Sequence, residues 1–204
     1  DLKTSLDLSP SFMAGYSPSE NLLYLAVIVR DDSLTRGNLR FSGSQAVFAT
    51  DGCEIYVEGT RRRRVSSSRS PSPERTGVLQ YILCPPGGTY DMTGADASTL
   101  PNPSLSGGNI ENTRTRGAFS RNGDISVFEW AIETYDRYPN TPARLIPGRT
   151  IGIDVVINDY DGSGVSAWVS WSEYKPLKFA NGDALGEILI ADDPGKLGTV
   201  SGTV

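Results

Sequence analysis

The sequence predicts an all-β protein: an antiparallel β-sandwich of about nine short strands joined by long loops. Three observations predict it. Apolar residues recur with a period of two rather than the 3.6 of a helix, most clearly across residues 150–173. The 22 glycines and 13 prolines fall mostly between the apolar runs, where they punctuate strands with turns. Finally, 204 residues suffice for one sandwich to bury a core, so residues 1–204 are expected to form a single domain.

Residues 11–16 supply the first short strand, which ends at Ser17-Pro18. Residues 22–30 (LLYLAVIVR) are apolar on both faces, the pattern of a strand buried on both sides, and stop at Asp31-Asp32. In residues 53–58, Cys53, Ile55 and Val57 share one face while Glu54, Tyr56 and Glu58 share the other. Residues 78–84 (VLQYILC) return as the hairpin partner. The loop between them, 61–76, is rich in Arg and Ser, and a second long loop runs over 85–110. Residues 111–120 and 124–133 read as a hairpin turning at Arg121-Asn122-Gly123. A proline-punctuated connection then leads into the strongest signal of the chain.

There, Ile151, Ile153, Val155 and Ile157 alternate with Gly152, Asp154, Val156 and Asn158. Val165, Ala167, Val169 and Trp171 form a second row, and residues 159–164 (DYDGSG) cannot continue a strand. The reading is an antiparallel pair with oxygen ligands at its tip. Residues 186–190 supply the last strand.

The net charge of −5 divides unevenly. Residues 61–76 hold six Arg and one Glu, leaving 13 basic and 23 acidic residues elsewhere. A body that acidic repels nucleic acid, so none is expected as a partner. The Arg/Ser composition is also that of disordered RNA-processing tails, but the tract is bracketed by strands. It reads as a solvated loop whose arginines grip the acidic body. There is no histidine, which excludes His-based triads and His metal sites. No apolar run is long enough to span a bilayer, so membrane insertion is not expected.

Asp159-x-Asp161-Gly162-x-Gly164 has the oxygen spacing of a calcium loop, and Asp159 and Asp161 are its candidate ligands. A plain tight turn is the alternative. Asp31-Asp32 is a second oxygen-rich strand end. Glu54, Glu129 and Asp154 lie on strands, but no hydrolase signature accompanies them; such carboxylates orient ligands or solubilise a face, and no enzyme activity is expected.

The ordered set NLLYLAVIVRDD, Asp51-GCEIYV, Ile125-SVFEWAI, Gly148-RTIGIDVVIND, Val169-SWSE and Leu185-GEILI resembles the family 9 carbohydrate-binding modules over most of residues 20–190. That resemblance implies a β-sandwich that binds sugar without catalysis. It implies two aromatic rings clamping the sugar, at Phe48 and Phe179, and polar contacts from Asp51, Glu54 and Gln80, with Tyr56 as a further surface. Rings suit the task because the C–H face of a pyranose is apolar and packs on a π face. A carboxylate can accept bonds from two adjacent hydroxyls. The sequence departs from the family's pattern at both rings, which are Trp in the sugar-binding members. It departs again at Ile82, where a sugar-contacting Arg stands, and at Pro176, where an Asn stands. Calcium, as a structural clip, is the cofactor the resemblance implies. The expected partner is a mono- or polysaccharide, and the alternative is a structural or protein-interaction sandwich that has lost the sugar site.

If the hairpin of residues 53–58 and 78–84 is symmetric about loop 61–76, Cys53 lies opposite Cys84, close enough for a disulfide. The match at Gln80 instead puts Cys84 on the ligand side and Cys53 on the core side. The two placements are incompatible, and two buried free thiols are expected. A chain opening on Asp1 is expected to be a processed or excised piece of a larger secreted or periplasmic protein, attached to other domains.

Overall fold

A computed structural model of the chain describes residues 8–35, 50–61, 77–85, 99–101, 113–161, 166–172, 178 and 182–191. The strands are β1 (Leu8–Ser17), β2 (Leu22–Asp31), β3 (Gly52–Glu58), β4 (Val78–Leu83), β5 (Thr99–Pro101) and β6 (Arg116–Asn122). They continue as β7 (Ile125–Ile132), β8 (Tyr135–Arg137), β9 (Thr141–Pro142), β10 (Thr150–Tyr160), β11 (Ser166–Ser170) and β12 (Gly186–Leu189). One sheet has the order β1-β2-β7-β6. The other has the order β11-β10-β3-β4-β5, with β12 on the first part of β10, and β8 and β9 form a small separate ribbon. Every pairing is antiparallel. The protein is the all-β antiparallel sandwich that the period-two pattern predicts.

The core is built from alternate residues of both sheets. Leu23, Leu25, Val27 and Val29 of β2 and Phe128, Trp130 and Ile132 of β7 meet Cys53, Ile55 and Val57 of β3 and Ile151, Ile153, Val155 and Ile157 of β10. Trp171 closes one edge, its ring set edge-on against Phe12 with centroids 5.3 Å apart.

Two expectations are corrected, the first and third below, and between them the choice left open for the cysteines is decided in favour of free thiols. First, β2 is not buried on both faces: Tyr24, Ala26 and Ile28 are only half-buried, and the strands buried throughout are β3 and β4. The reason is a second layer over the outer face of the larger sheet, where Tyr56, Val78, Val156 and Leu185 form their own apolar cluster against Trp168. Second, Cys53 pairs with Leu83, one residue out of the register that loop symmetry predicts. Cys84 therefore falls beside Gly52 on the outer side, Cys53 faces the core, and both thiols are free. Third, the β6–β7 hairpin turns one residue later than expected, on Gly123-Asp124, with Gly123 in the left-handed region at φ +60°.

The Arg/Ser-rich loop begins by folding back. Arg61 lies across Gly152, where a Cβ would come within 3.0 Å of its side chain. Its guanidinium reaches Glu187 at 2.5 Å and the Gly182 carbonyl at 2.8 Å. One arginine of the tract thus grips the acidic body as expected; residues 62–76 lie outside the described part.

Candidate functional site

The outer face of the larger sheet carries a polar network at its centre. On β3, alternation turns Glu54 and Tyr56 outward; on β4 it turns Gln80 outward, and on β10 Asn158. Glu54 is the common acceptor. Its Oε2 accepts from Tyr56 Oη at 2.7 Å and from Gln80 Nε2 at 2.7 Å, and its Oε1 accepts from Asn158 Nδ2 at 2.6 Å. Gln80 Nε2 also donates to Tyr56 Oη at 2.9 Å. Glu54 is 1% exposed and Gln80 2%, so the network is buried and each member depends on the others for its hydrogen bonds. Burial, and then the Glu54 charge, hold the Tyr56 phenol well above its ordinary range, so Tyr56 stays a proton donor.

A second polar centre closes one end of the core. The inward rows of β2, β3 and β10 each run past their last apolar residue into an aspartate: Val29 leads to Asp31, Cys53 back to Asp51, and Ile157 to Asp159. One carboxylate oxygen from each lies within 4.8 Å of the others, and all three residues are buried. Beside them is a cavity of about 10 Å³, about the room of one water or ion, lined also by Leu8, Val29 and Phe128. Asp51 Oδ1 accepts from the Tyr160 amide at 2.8 Å and Oδ2 from the Thr35 amide at 2.6 Å. Asp31 Oδ1 accepts from the Ser33 amide at 2.9 Å. Arg121 brings its guanidinium to within 3.5 Å of Asp31 Oδ2. Burial is the main reason that the Asp51 carboxyl is pushed up to about 7, and the charges of Asp31 and Asp159 push the same way. When ionised, the three carboxylates repel one another, and a divalent cation among them would offset that charge. Such a set of hard oxygens could hold a metal ion.

The outer face also carries a buried ion pair, on the side of the Glu54 network away from the triad. Lys178 Nζ donates to Asp154 Oδ2 on the outer face of β10 and to Ser172 Oγ at 2.8 Å. Asp154 Oδ1 accepts from the amides of Val155 at 3.0 Å and Ser172 at 2.9 Å.

The structure therefore distributes the residues singled out in the sequence. Glu54, Tyr56 and Gln80 come together on the outer face. Asp51 leaves that group and joins Asp31 and Asp159. The expected pair Asp159 and Asp161 is divided: Asp159 enters the buried triad, while Asp161 is exposed and accepts from Ser33 Oγ at 3.0 Å. The physical reason is that β10 runs on to Tyr160, so Asp159 belongs to a strand and not to the turn. Phe48 and Phe179 lie outside the described residues. Sequence reasoning missed Asn158 and Lys178 as members of the outer face. Alternation gives the position of Asn158. For Lys178 the chain offers no such signal, because lysine is ordinarily solvated.

No protein-family model matches the chain, and no curated protein matches it. Among solved structures it is similar to a family 9 carbohydrate-binding module from Caldicellulosiruptor kristjanssonii in complex with cellotriose. That similarity has a TM-score of 0.62 and 17% identity, covering 93% of this chain and 78% of the other. A structure titled as a family 9 module of the same organism in complex with glucose matches with a TM-score of 0.62 and 18% identity, over 92% of this chain and 78% of the other. At that identity the likeness is one of fold.

Proposed function

We propose, from the fold shared with family 9 carbohydrate-binding modules, that this protein binds a mono- or polysaccharide on the outer face of its larger sheet and does no chemistry on it. The observation that carries the reading is the Glu54-centred network, a carboxylate with amide and phenol donors gathered on one face of that fold. Glu54 and Gln80 form the polar floor, and Phe48 and Phe179 are the apolar walls against which a pyranose packs. The chain serves as a targeting module attached to other domains of an extracellular or periplasmic protein.

Calcium is the proposed structural ion, and its place is Asp31, Asp51 and Asp159. Opposite oxygens of a calcium ion, each about 2.4 Å from it, stand about 4.8 Å apart. The three carboxylate oxygens lie within 4.8 Å of one another, so a single ion could reach all of them. The ion would tie the ends of β2, β3 and β10 together.

The second reading, a structural or protein-interaction sandwich without a sugar site, is favoured by one observation. Both Glu54 oxygens are already engaged by the protein's own donors, at 1% exposure. Calorimetric titration with glucose, cellotriose and a wider sugar panel, with calcium and with chelator, separates the two. Binding to one sugar class supports the module. A flat panel under both conditions removes that reading and leaves the interaction sandwich.

A further inference from the structure

A sheet edge presents a row of unpaired amides and carbonyls, and proteins ordinarily blunt it with charge, with proline, with a bulge or by keeping the strand short. The edge strands of the two sheets follow that rule with one exception. β5 and β11 run three and five residues. β12 carries Glu187, and β6 carries Arg116 and Arg121. β1 runs ten residues without a charged side chain, and its register with β2 is unbroken from Leu8 to Ser17. Among the described residues β2 is its one neighbour in the sheet. Pro10 blunts the strand at a single position, by removing one donor.

Two features lie along that edge. Met13 points away from the core and is 43% exposed. On the core side, an apolar crevice of about 20 Å³ lies between β1 and β11, lined by Pro10, Phe12, Val27, Val155, Val169 and Trp171.

β1 is also complementary to itself. When two identical strands pair antiparallel about a two-fold axis, one face continues across the pair only if the axis passes through a residue. With the axis at Met13, Phe12 meets the second copy's Ala14 and Pro10 meets its Tyr16. Ser11 meets its Gly15, and Ser9 its Ser17. Each core-side pair sets an aromatic ring against a smaller side chain, and the second copy's Tyr16 comes opposite Pro10, beside the crevice. The two exposed Met13 side chains cover one another, and no pair brings like charges together.

We propose that β1 is an association edge for a second copy of this chain: the two β1 strands pair about a two-fold axis at Met13 and join the smaller sheets into one of eight strands, four from each copy. The pairing leaves the outer face of each larger sheet uncovered, because β1 belongs to the other sheet. On the carbohydrate-binding reading the dimer is bivalent, and avidity raises its affinity for a long polysaccharide. The pairing itself does not rest on that reading.

The test uses the full chain. Sedimentation up to millimolar concentration is expected to show a dimer. Hydrogen exchange of the β1 amides slows about tenfold or more as the dimer fills, while the other strands are unchanged. Met13→Lys sets two ammonium groups against each other on the axis and weakens association about tenfold or more, whereas Met13→Leu keeps it. Both variants keep the wild-type thermal transition, since the side chain is exposed. Met13→Cys cross-links to its counterpart under mild oxidation. Ser9→Cys does not, because the pairing sets it about 26 Å from its own counterpart. Affinity for a long glucan falls about tenfold in Met13→Lys while affinity for glucose is unchanged.

A monomer at every concentration overturns the proposal. So does full protection of the β1 amides in the monomer, which would mean that the chain covers its own edge. So do a dimer that Met13→Lys leaves intact and cross-linking of equal extent from positions 9 and 13. Equal loss of glucan and glucose affinity in Met13→Lys overturns the bivalence. If the wild-type protein binds no sugar, the carbohydrate reading falls, and sedimentation and cross-linking alone decide the pairing.

Discussion

Asn158 reaches diagonally from β10 to β3, its Nδ2 donating to Glu54 Oε1 at 2.6 Å. The residue directly opposite Asn158 is Gly52, which has no side chain to compete for that space. The diagonal contact links the two central strands of the larger sheet on their outer face, where neither residue is more than 6% exposed. Removing the acceptor takes a shared partner from three donors at once. Glu54→Ala is therefore expected to lower unfolding stability by about 3 kcal/mol, measured by urea denaturation, and to abolish sugar binding. Asn158→Ala removes one donor of three and should cost about 1 kcal/mol. A Glu54→Ala protein as stable as wild type would mean that the network is not formed in solution.

Phe48→Ala and Phe179→Ala each remove one proposed wall of the sugar site and nothing from the polar floor. Each is expected to weaken sugar binding about tenfold or more while leaving the thermal transition within a few degrees. If both variants bind as wild type does, the ligand face lies elsewhere.

The aspartate triad predicts a pH dependence that calcium reverses. Asp51 in the folded, metal-free protein titrates at about 7, above its ordinary value of 3.8. Between those values the folded state holds a proton that the unfolded state has released, so stability falls as pH rises from about 4 to about 7 and is flat above. The slope is at most about 1.4 kcal/mol per pH unit. A cation binds only the ionised carboxylate, so calcium affinity runs the other way and strengthens over the same interval. Thermal scans from pH 4 to 8, with chelator and with millimolar calcium, show opposite trends if this holds. Asp159→Asn should abolish the calcium-dependent part.

Gly59 and Gly123 separate two kinds of glycine. A Cβ at Gly59 would stand 2.5 Å from the Tyr135 carbonyl oxygen, a backbone atom that cannot rotate away. Gly59→Ala is expected to cost about 3 kcal/mol. At Gly123 a Cβ meets nothing within 4 Å, and the left-handed φ alone sets a cost of about 1 kcal/mol for Ala. Denaturant midpoints of the two variants should differ in that order.

Both cysteines are free and lie on opposite sides of the β3–β4 pair. Burial pushes both thiols well above their ordinary range, which leaves little thiolate at neutral pH. A thiol reagent should label neither at pH 7 in the folded state and both in urea, with no change on prior reduction. Labelling that requires a reductant would mean a disulfide.

Where the sequence repeats one rule many times, it could be read. The alternation along residues 151–157 and 22–30 placed two central strands, and the same rule sent Glu54, Tyr56 and Gln80 to one face. It failed where a single residue decides. Register between β3 and β4 could not be counted through residues 59–77, because a long loop need not be symmetric, and one residue was enough to separate Cys53 from Cys84. Asp159 was assigned to a turn because Asp and Gly follow it, although the strand runs one residue beyond it to Tyr160. Extending the apolar rows of β2, β3 and β10 by one inward step would have found Asp31, Asp51 and Asp159 together. The two-residue strand β9 is too short to leave a pattern.

The central pairings of both sheets join distant parts of the chain. Ile55 lies opposite Val155, and Val27 lies opposite Phe128. Each closes a loop of about a hundred residues before its contacts can form, a topology that folds in milliseconds to seconds rather than microseconds. Within the N-terminal half β2 has only β1 beside it and β3 only β4, and the other edge of each waits until the second half has been synthesised. During translation β2 and β3 emerge with unpaired edges, and a chain interrupted near residue 112 is a candidate for chaperone capture and degradation, not a smaller domain.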